Sequence, residues 1–185
     1  MIRIQPIESA QADDKTKALY NAVQKQLGSV PNLFKTIAQS HAALTGYLQQ
    51  TASLANGVLN PQLREQIALV TAGKNQCNYC ASAHSLLGKM AGIDEQERTS
   101  NLHGKSGNTK TQAALDFSAS IVDNRGRVSD KDLTSVRKAG YSEGEIVEIV
   151  AHTCVNIFTN YFNNIAGTEV DFPLVSTLNL AKTAY

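Results

Sequence analysis

Apolar residues along this chain recur at three- and four-residue spacings, and no stretch alternates apolar and polar residues in the manner of a strand. The pattern predicts a series of helices punctuated by glycine and proline. The first runs from about Ala12 to Leu27 and stops at Gly28. A loop around Val30-Pro31-Asn32 leads into helical segments from Leu33 to Ala38 and from His41 to Ala55, the second ending near Gly57. Asn60 then Pro61 is a strong start signal, a capping side chain ahead of proline at the first helical position. It predicts a helix to Ala72, stopped by Gly73. Another follows from Gln76 to Met90, closed by Gly92, and a short one from Asp94 to Asn101.

After an exposed loop at His103 to Asn108, helices resume from Thr109 to Asp123 and from Ser129-x-x-Asp132 to Gly140. Ser142-x-x-Glu145 is a capping box for the longest helix, which reaches Ala166. Its apolar positions Ile146, Val147, Val150, Cys154, Ile157, Phe158, Tyr161 and Ile165 nearly surround it, which predicts a central helix. The tail from Val170 to Pro173 reads as extended. The fold class is all-α, one compact helical domain over residues 1–185, with no linker to divide it.

Composition narrows the function more than the fold. The chain has 185 residues, enough for a substantial core, with 42% hydrophobic and 18% charged residues. Seventeen basic against 16 acidic residues leave a net charge of +1, which gives no electrostatic footprint for nucleic acid or an anionic membrane. The most apolar stretch, Ile146 to Ile165, is broken by Glu148, His152, Asn156, Asn160, Asn163 and Asn164, so no membrane span is predicted. The N-terminal residues carry no secretory pattern, and three cysteines make no secreted disulfide framework. A cytoplasmic location is expected, where a Cys-x-x-Cys pair is usually catalytic or metal-binding.

The chemistry concentrates in Cys77-Asn78-Tyr79-Cys80-Ala81-Ser82-Ala83-His84. In the first two turns of a helix, Cys77, Cys80 and His84 would share a face, and the unpaired N–H groups there favour an anion such as a thiolate. An imidazole can take the thiol proton or stabilise the anion, and a second cysteine can capture a sulfenic acid as a disulfide. Zinc competes for the same residues, but needs a fourth ligand from His41, His103, His152, Cys154 or a carboxylate, and no second knuckle is present. Covalent haem attachment is excluded by Ala81, which stands where a histidine is required. Glu65 falls on a helix apolar on most sides, either as a proton acceptor with a raised pKa or as a rim residue paired with Lys74. Cys154 reads as a small core residue and His152 as a hydrogen-bonded core histidine with no assigned role.

Glu65, Cys77-x-x-Cys80 and His84 in this spacing resemble the alkylhydroperoxidase D-like branch of the carboxymuconolactone decarboxylase family. The flanks Pro61 to Leu69 and Ser85 to Gly88 agree. Val30 to Phe34, Asn160 to Asn164 and Asp171-Phe172-Pro173 look like the end segments of its peroxidase-related members. The resemblance implies an all-α fold, homo-oligomers (trimer or hexamer) and a thiol-dependent peroxidase or disulfide reductase without a cofactor or metal. Its substrate would be a small hydroperoxide or disulfide, and a protein or small thiol would re-reduce it. It also implies that Cys80 attacks, Cys77 resolves, and His84 and Glu65 relay protons, whereas the dipole argument alone favours Cys77 as the more acidic thiol. One departure is Tyr79, which stands where the best-studied members have a relay histidine. The alternatives are a lactone decarboxylase-like enzyme and a zinc- or thiol-gated interaction domain without catalysis.

Overall fold

The structure, a computed structural model, describes residues 1–177; residues 178–185 of the expected domain lie outside the described residues. Among the described residues it is all-helical, with nine helices and no strand. These are α1 (Asp14–Leu27), α2 (Asn32–Ile37), α3 (His41–Ala55), α4 (Pro61–Lys74), α5 (Asn78–Met90), α6 (Glu95–Leu102), α7 (Thr109–Asp123), α8 (Asp130–Lys138) and α9 (Glu143–Ala166). The caps explain most of these boundaries. Side chains of Asp13, Ser40, Asn60, Asp94, Asn108, Ser129 and Ser142 each accept a backbone N–H of the first turn that follows them. The expected capping box at Ser142 and Glu145 is present, and Ser129 and Asp132 form a second one. No described helix is long and apolar enough to cross a membrane.

Helix α4 is the centre of the molecule, packed against α5, α6, α7 and α9. It is buried continuously from Gln66 to Gly73 and divides the core in two. On one side Leu59, Leu63 and Ile67 meet Phe117, Ile121, Val136, Ile146 and Ile149. On the other, Leu69 and Ala72 meet Tyr20, Leu33, Ile37, Leu44, Cys77 and Cys80. The two cysteines therefore belong to the second cluster.

Two sequence expectations fail around α4 and α5. Gly73 does not stop the helix, which continues to Lys74. The left-handed residue that ends it is Gln76, at φ 51°. Cys77 N–H bonds Ala72 O at 3.0 Å and Gln76 N–H bonds Gly73 O at 3.2 Å, the two bonds of a Schellman motif. A non-glycine residue tolerates that conformation at a cost of about 1 kcal/mol, so the missing glycine hid the turn. In consequence α5 starts at Asn78, not Gln76, and Cys77 is its N-cap.

Helix α9 is central as expected, packed against α2, α3, α4, α5, α7 and α8, but most of the apolar positions read from its sequence are not buried. Its exposed residues include Val147, Val150, Cys154, Phe158, Tyr161 and Ile165, whereas His152, Asn156, Asn160 and Asn163 are buried. The helix is not enclosed; its buried side mixes Ile146, Ile149 and Val155 with polar residues, and it leaves an apolar stripe on the surface. Cys154 is thus a surface cysteine and not a core residue.

Candidate active site

The site forms where α5 begins under α9. As N-cap, Cys77 directs its sulfur back over the first turn, and Cys80 N–H lies 3.4 Å from Cys77 Sγ. Cys80, one turn on, receives a hydrogen bond from Asn163 Nδ2 at 3.2 Å. Asn160 reaches toward the same sulfur, its Oδ1 held by Asn75 Nδ2 at 3.0 Å. One further turn along α5, His84 Nδ1 lies 2.8 Å from Glu65 Oε2 of α4. Both of these side chains are about four-fifths buried, with 19% and 22% exposure. Lys74, the rival partner considered for Glu65, pairs with Asp123 at 2.6 Å.

These contacts set the charges. Burial pushes the Cys80 thiol up, but the hydrogen bond from Cys77, the nearby His84 and the Asn163 and Asn160 amides outweigh it, and its pKa falls to about 6. Cys77 moves the other way, because its own proton is held by Cys80 and it is buried. The pair therefore shares one proton that resides on Cys77. Burial alone would lower His84, yet the Glu65 carboxylate, Cys80 and the Asn156 side chain raise it above its ordinary value. The arrangement favours a thiolate at Cys80, a thiol at Cys77 and the protonated form of His84.

Tyr79 contributes no relay. Its hydroxyl accepts Leu33 N–H at 3.0 Å, its ring meets Phe172 edge-on at 5.5 Å, and burial pushes its phenol well above the ordinary value. It anchors α2 and the closing segment to α5. The closing segment itself straps the helix start: Val175 N–H bonds Ser82 Oγ at 2.9 Å and Thr177 N–H bonds Asn78 Oδ1 at 2.9 Å.

Cys77 and Cys80 are 0% and 2% exposed, so both sulfurs lie beneath the surface. A cavity of about 250 Å³ opens beside them, lined by Tyr47, Glu65 and His84 among others. Neither sulfur lines it, but Tyr47 and His84 are both within electrostatic reach of Cys80. The expected site residues Glu65, Cys77, Cys80 and His84 are thus brought together. Asn160, Asn163 and His152 were missed, since asparagine and histidine on a helix rich in apolar residues read as interruptions of a core face. No group of three or more His, Cys, Asp or Glu side chains among the described residues could hold a metal ion.

Residues 38–102, which span α3 to α6 and include Glu65, Cys77, Cys80 and His84, match the carboxymuconolactone decarboxylase family. Over that span the chain is similar to this family. Solved structures extend the likeness to the whole fold. An uncharacterized peroxidase-related protein from Ralstonia eutropha JMP134, described as an alkylhydroperoxidase AhpD core, gives a TM-score of 0.84 at 24% identity over 92% of each chain. One from Silicibacter sp. TM1040 gives 0.78 at 23% identity, over 90% of this chain and 92% of that one. A cysteine-to-alanine variant of the debrominase Bmp8, bound to 2,3,4-tribromopyrrole, gives 0.79 at 16% identity, over 98% and 97%. At these identities the structures speak for the all-helical fold. No curated protein sequence matches the chain.

Proposed function

We propose that this protein is a thiol-dependent oxidoreductase that reduces small hydroperoxides or disulfides at Cys80. The observation that carries the reading is the donor set around one sulfur. Asn163, the Cys77 thiol and the His84 imidazolium all favour negative charge on Cys80. A thiolate with a neighbouring thiol has little structural use, because a buried anion costs stability unless fully paired. It is useful as a nucleophile.

With a hydroperoxide, the Cys80 thiolate attacks the terminal oxygen. The S–O bond forms as the O–O bond breaks, and the alkoxide takes the proton of His84 to leave as an alcohol. The Cys77 thiol then attacks the sulfenic acid, giving the Cys77–Cys80 disulfide and water. With a disulfide, Cys80 forms a mixed disulfide that Cys77 resolves. Glu65 keeps His84 charged and oriented for each cycle, and an external thiol returns the pair to the dithiol. The reading is tested on fully reduced protein: two thiols should disappear per peroxide consumed, and Cys80→Ser should abolish the loss. An unchanged rate in that variant would refute it.

A second copy of this chain is the occupant that suits the apolar stripe on α9. Val147, Val150, Cys154, Phe158, Tyr161 and Ile165 follow three- and four-residue spacings over most of the helix. At one end the stripe is continuous with an apolar groove of about 430 Å³ between Phe117, Ile121, Val128, Leu133 and Val150. Such a seam on a monomer would be an aggregation liability, and self-association covers it.

A further inference from the structure

Eight buried side-chain polar atoms among the described residues have no hydrogen-bond partner, and His152 Nε2 is the one whose side chain also lines the cavity beside His84. His152 is 8% exposed and comes from α9, outside the span that carries the family match. A buried imidazole nitrogen left unpaired costs stability, which points to a partner that arrives from the cavity. Burial, with Arg64 nearby, lowers His152 below its ordinary value and keeps the ring neutral, so it offers a hydrogen bond and not a charge.

The rest of the lining says what that partner is like. Leu27, Leu54, Ala68, Leu87 and Val155 supply apolar wall. The charged side chains of the lining already have partners. Arg64 Nη1 bonds the carbonyls of Leu54 at 3.4 Å and Ala55 at 2.5 Å, and Glu65 bonds His84. Glu65 therefore leaves no free negative charge for a cationic guest, and the apolar wall suits an uncharged one. The volume of about 250 Å³ equals roughly eight waters at about 30 Å³ each, enough for a body of about six to ten non-hydrogen atoms.

We propose that His152 is a substrate-binding residue, donating a hydrogen bond from Nε2 to the inner oxygen of a small uncharged organic hydroperoxide, so that the site prefers it to hydrogen peroxide. This rests on the thiol-peroxidase reading above and adds a specificity residue to it. The bond orders the leaving alkoxide while His84 delivers its proton; His152 itself neither gains nor loses one. Tyr79 cannot supply such a contact: it does not line the cavity, and its hydroxyl is engaged by Leu33 N–H and the Asp171 side chain.

The test compares thiol loss from reduced wild type, His152→Leu, His152→Gln and Leu27→Trp, using tert-butyl hydroperoxide and hydrogen peroxide in parallel. Leu27 lies at the rim, 40% exposed, so its enlargement narrows the cavity without entering the core. His152→Leu should lower kcat/KM for tert-butyl hydroperoxide about tenfold, mainly through KM, as expected for one lost hydrogen bond. Hydrogen peroxide should change far less, His152→Gln should recover most of the loss, and Leu27→Trp should slow only the bulkier peroxide. Parallel loss with both peroxides, or wild-type behaviour with both, in His152→Leu would overturn the proposal and leave the peroxidase reading standing. Wild-type protein that consumes neither peroxide would bring both down.

Discussion

Truncating Asn163 should make Cys80 a weaker acid by an amount the structure sets. The drop from 9.0 to about 6 amounts to about 4 kcal/mol in favour of the thiolate, at roughly 1.4 kcal/mol per pH unit. Burial opposes it, so the donors together supply more than that. Asn163 is one of them, and a hydrogen bond to a charged group is worth about 1.5–3 kcal/mol. Asn163→Ala should therefore raise the Cys80 midpoint from about 6 to about 7–8. The variant is clean because Asn163 Oδ1 has no partner to be orphaned. The assay is the ultraviolet absorbance of the thiolate against pH in reduced protein, with Cys154→Ala in the background to remove the surface thiol. The sign also fixes stability. A thiol whose folded value is depressed contributes stability that is present above its ordinary 9.0 and is lost as pH falls through about 6. Wild type should lose stability over that window more steeply than Asn163→Ala. A midpoint in the variant equal to that of wild type would refute the donor-set reasoning.

Other outcomes follow from the same contacts. Tyr79→Phe should cost about 1 kcal/mol in denaturant unfolding, since it frees Leu33 N–H, yet leave the peroxide rate within about twofold, because the phenol anchors and does not relay. Glu97 accepts from Gln66, Asn101, Ser106 and Gly107, and though burial pushes it up these bonds hold it below its ordinary 4.5. Glu97→Ala should cost about 1–3 kcal/mol above pH 4.5, and the gap between variant and wild type should close as pH falls through the lowered folded value. Phe158→Asp, placed in the exposed α9 stripe, should lower the mass seen by sedimentation without changing helical content; an unchanged mass would remove the self-association reading.

Helix order was legible because the caps are local. Asn60-Pro61, Ser129-x-x-Asp132 and Ser142-x-x-Glu145 act within one turn, so their effect survives any tertiary context. The start of α5 was not legible, since Gln76 takes a conformation that sequence reading reserves for glycine. That error mattered, because it is the Schellman turn that makes Cys77 a cap and turns its sulfur toward Cys80. The cluster of Glu65, Cys77, Cys80 and His84 was readable from spacing on two adjacent helices. The amides were not, because they arrive from α9, about eighty residues downstream, where periodicity assigns apolar residues to the core. In α9 the inward face carries polar residues where it lines the site, among Ile146, Ile149 and Val155, and an apolar stripe looks outward. The hydrophobic pattern carries no sign for such a helix.

The most direct measurement is to trap the first oxidation product. In Cys77→Ser, where serine can still cap α5, one equivalent of hydroperoxide should leave a sulfenic acid on Cys80, found by dimedone labelling and peptide mass. In Cys80→Ser, Cys77 should stay a thiol under the same exposure. Sulfenic acid on Cys77 in the second variant, formed as fast as on Cys80 in the first, would contradict the account.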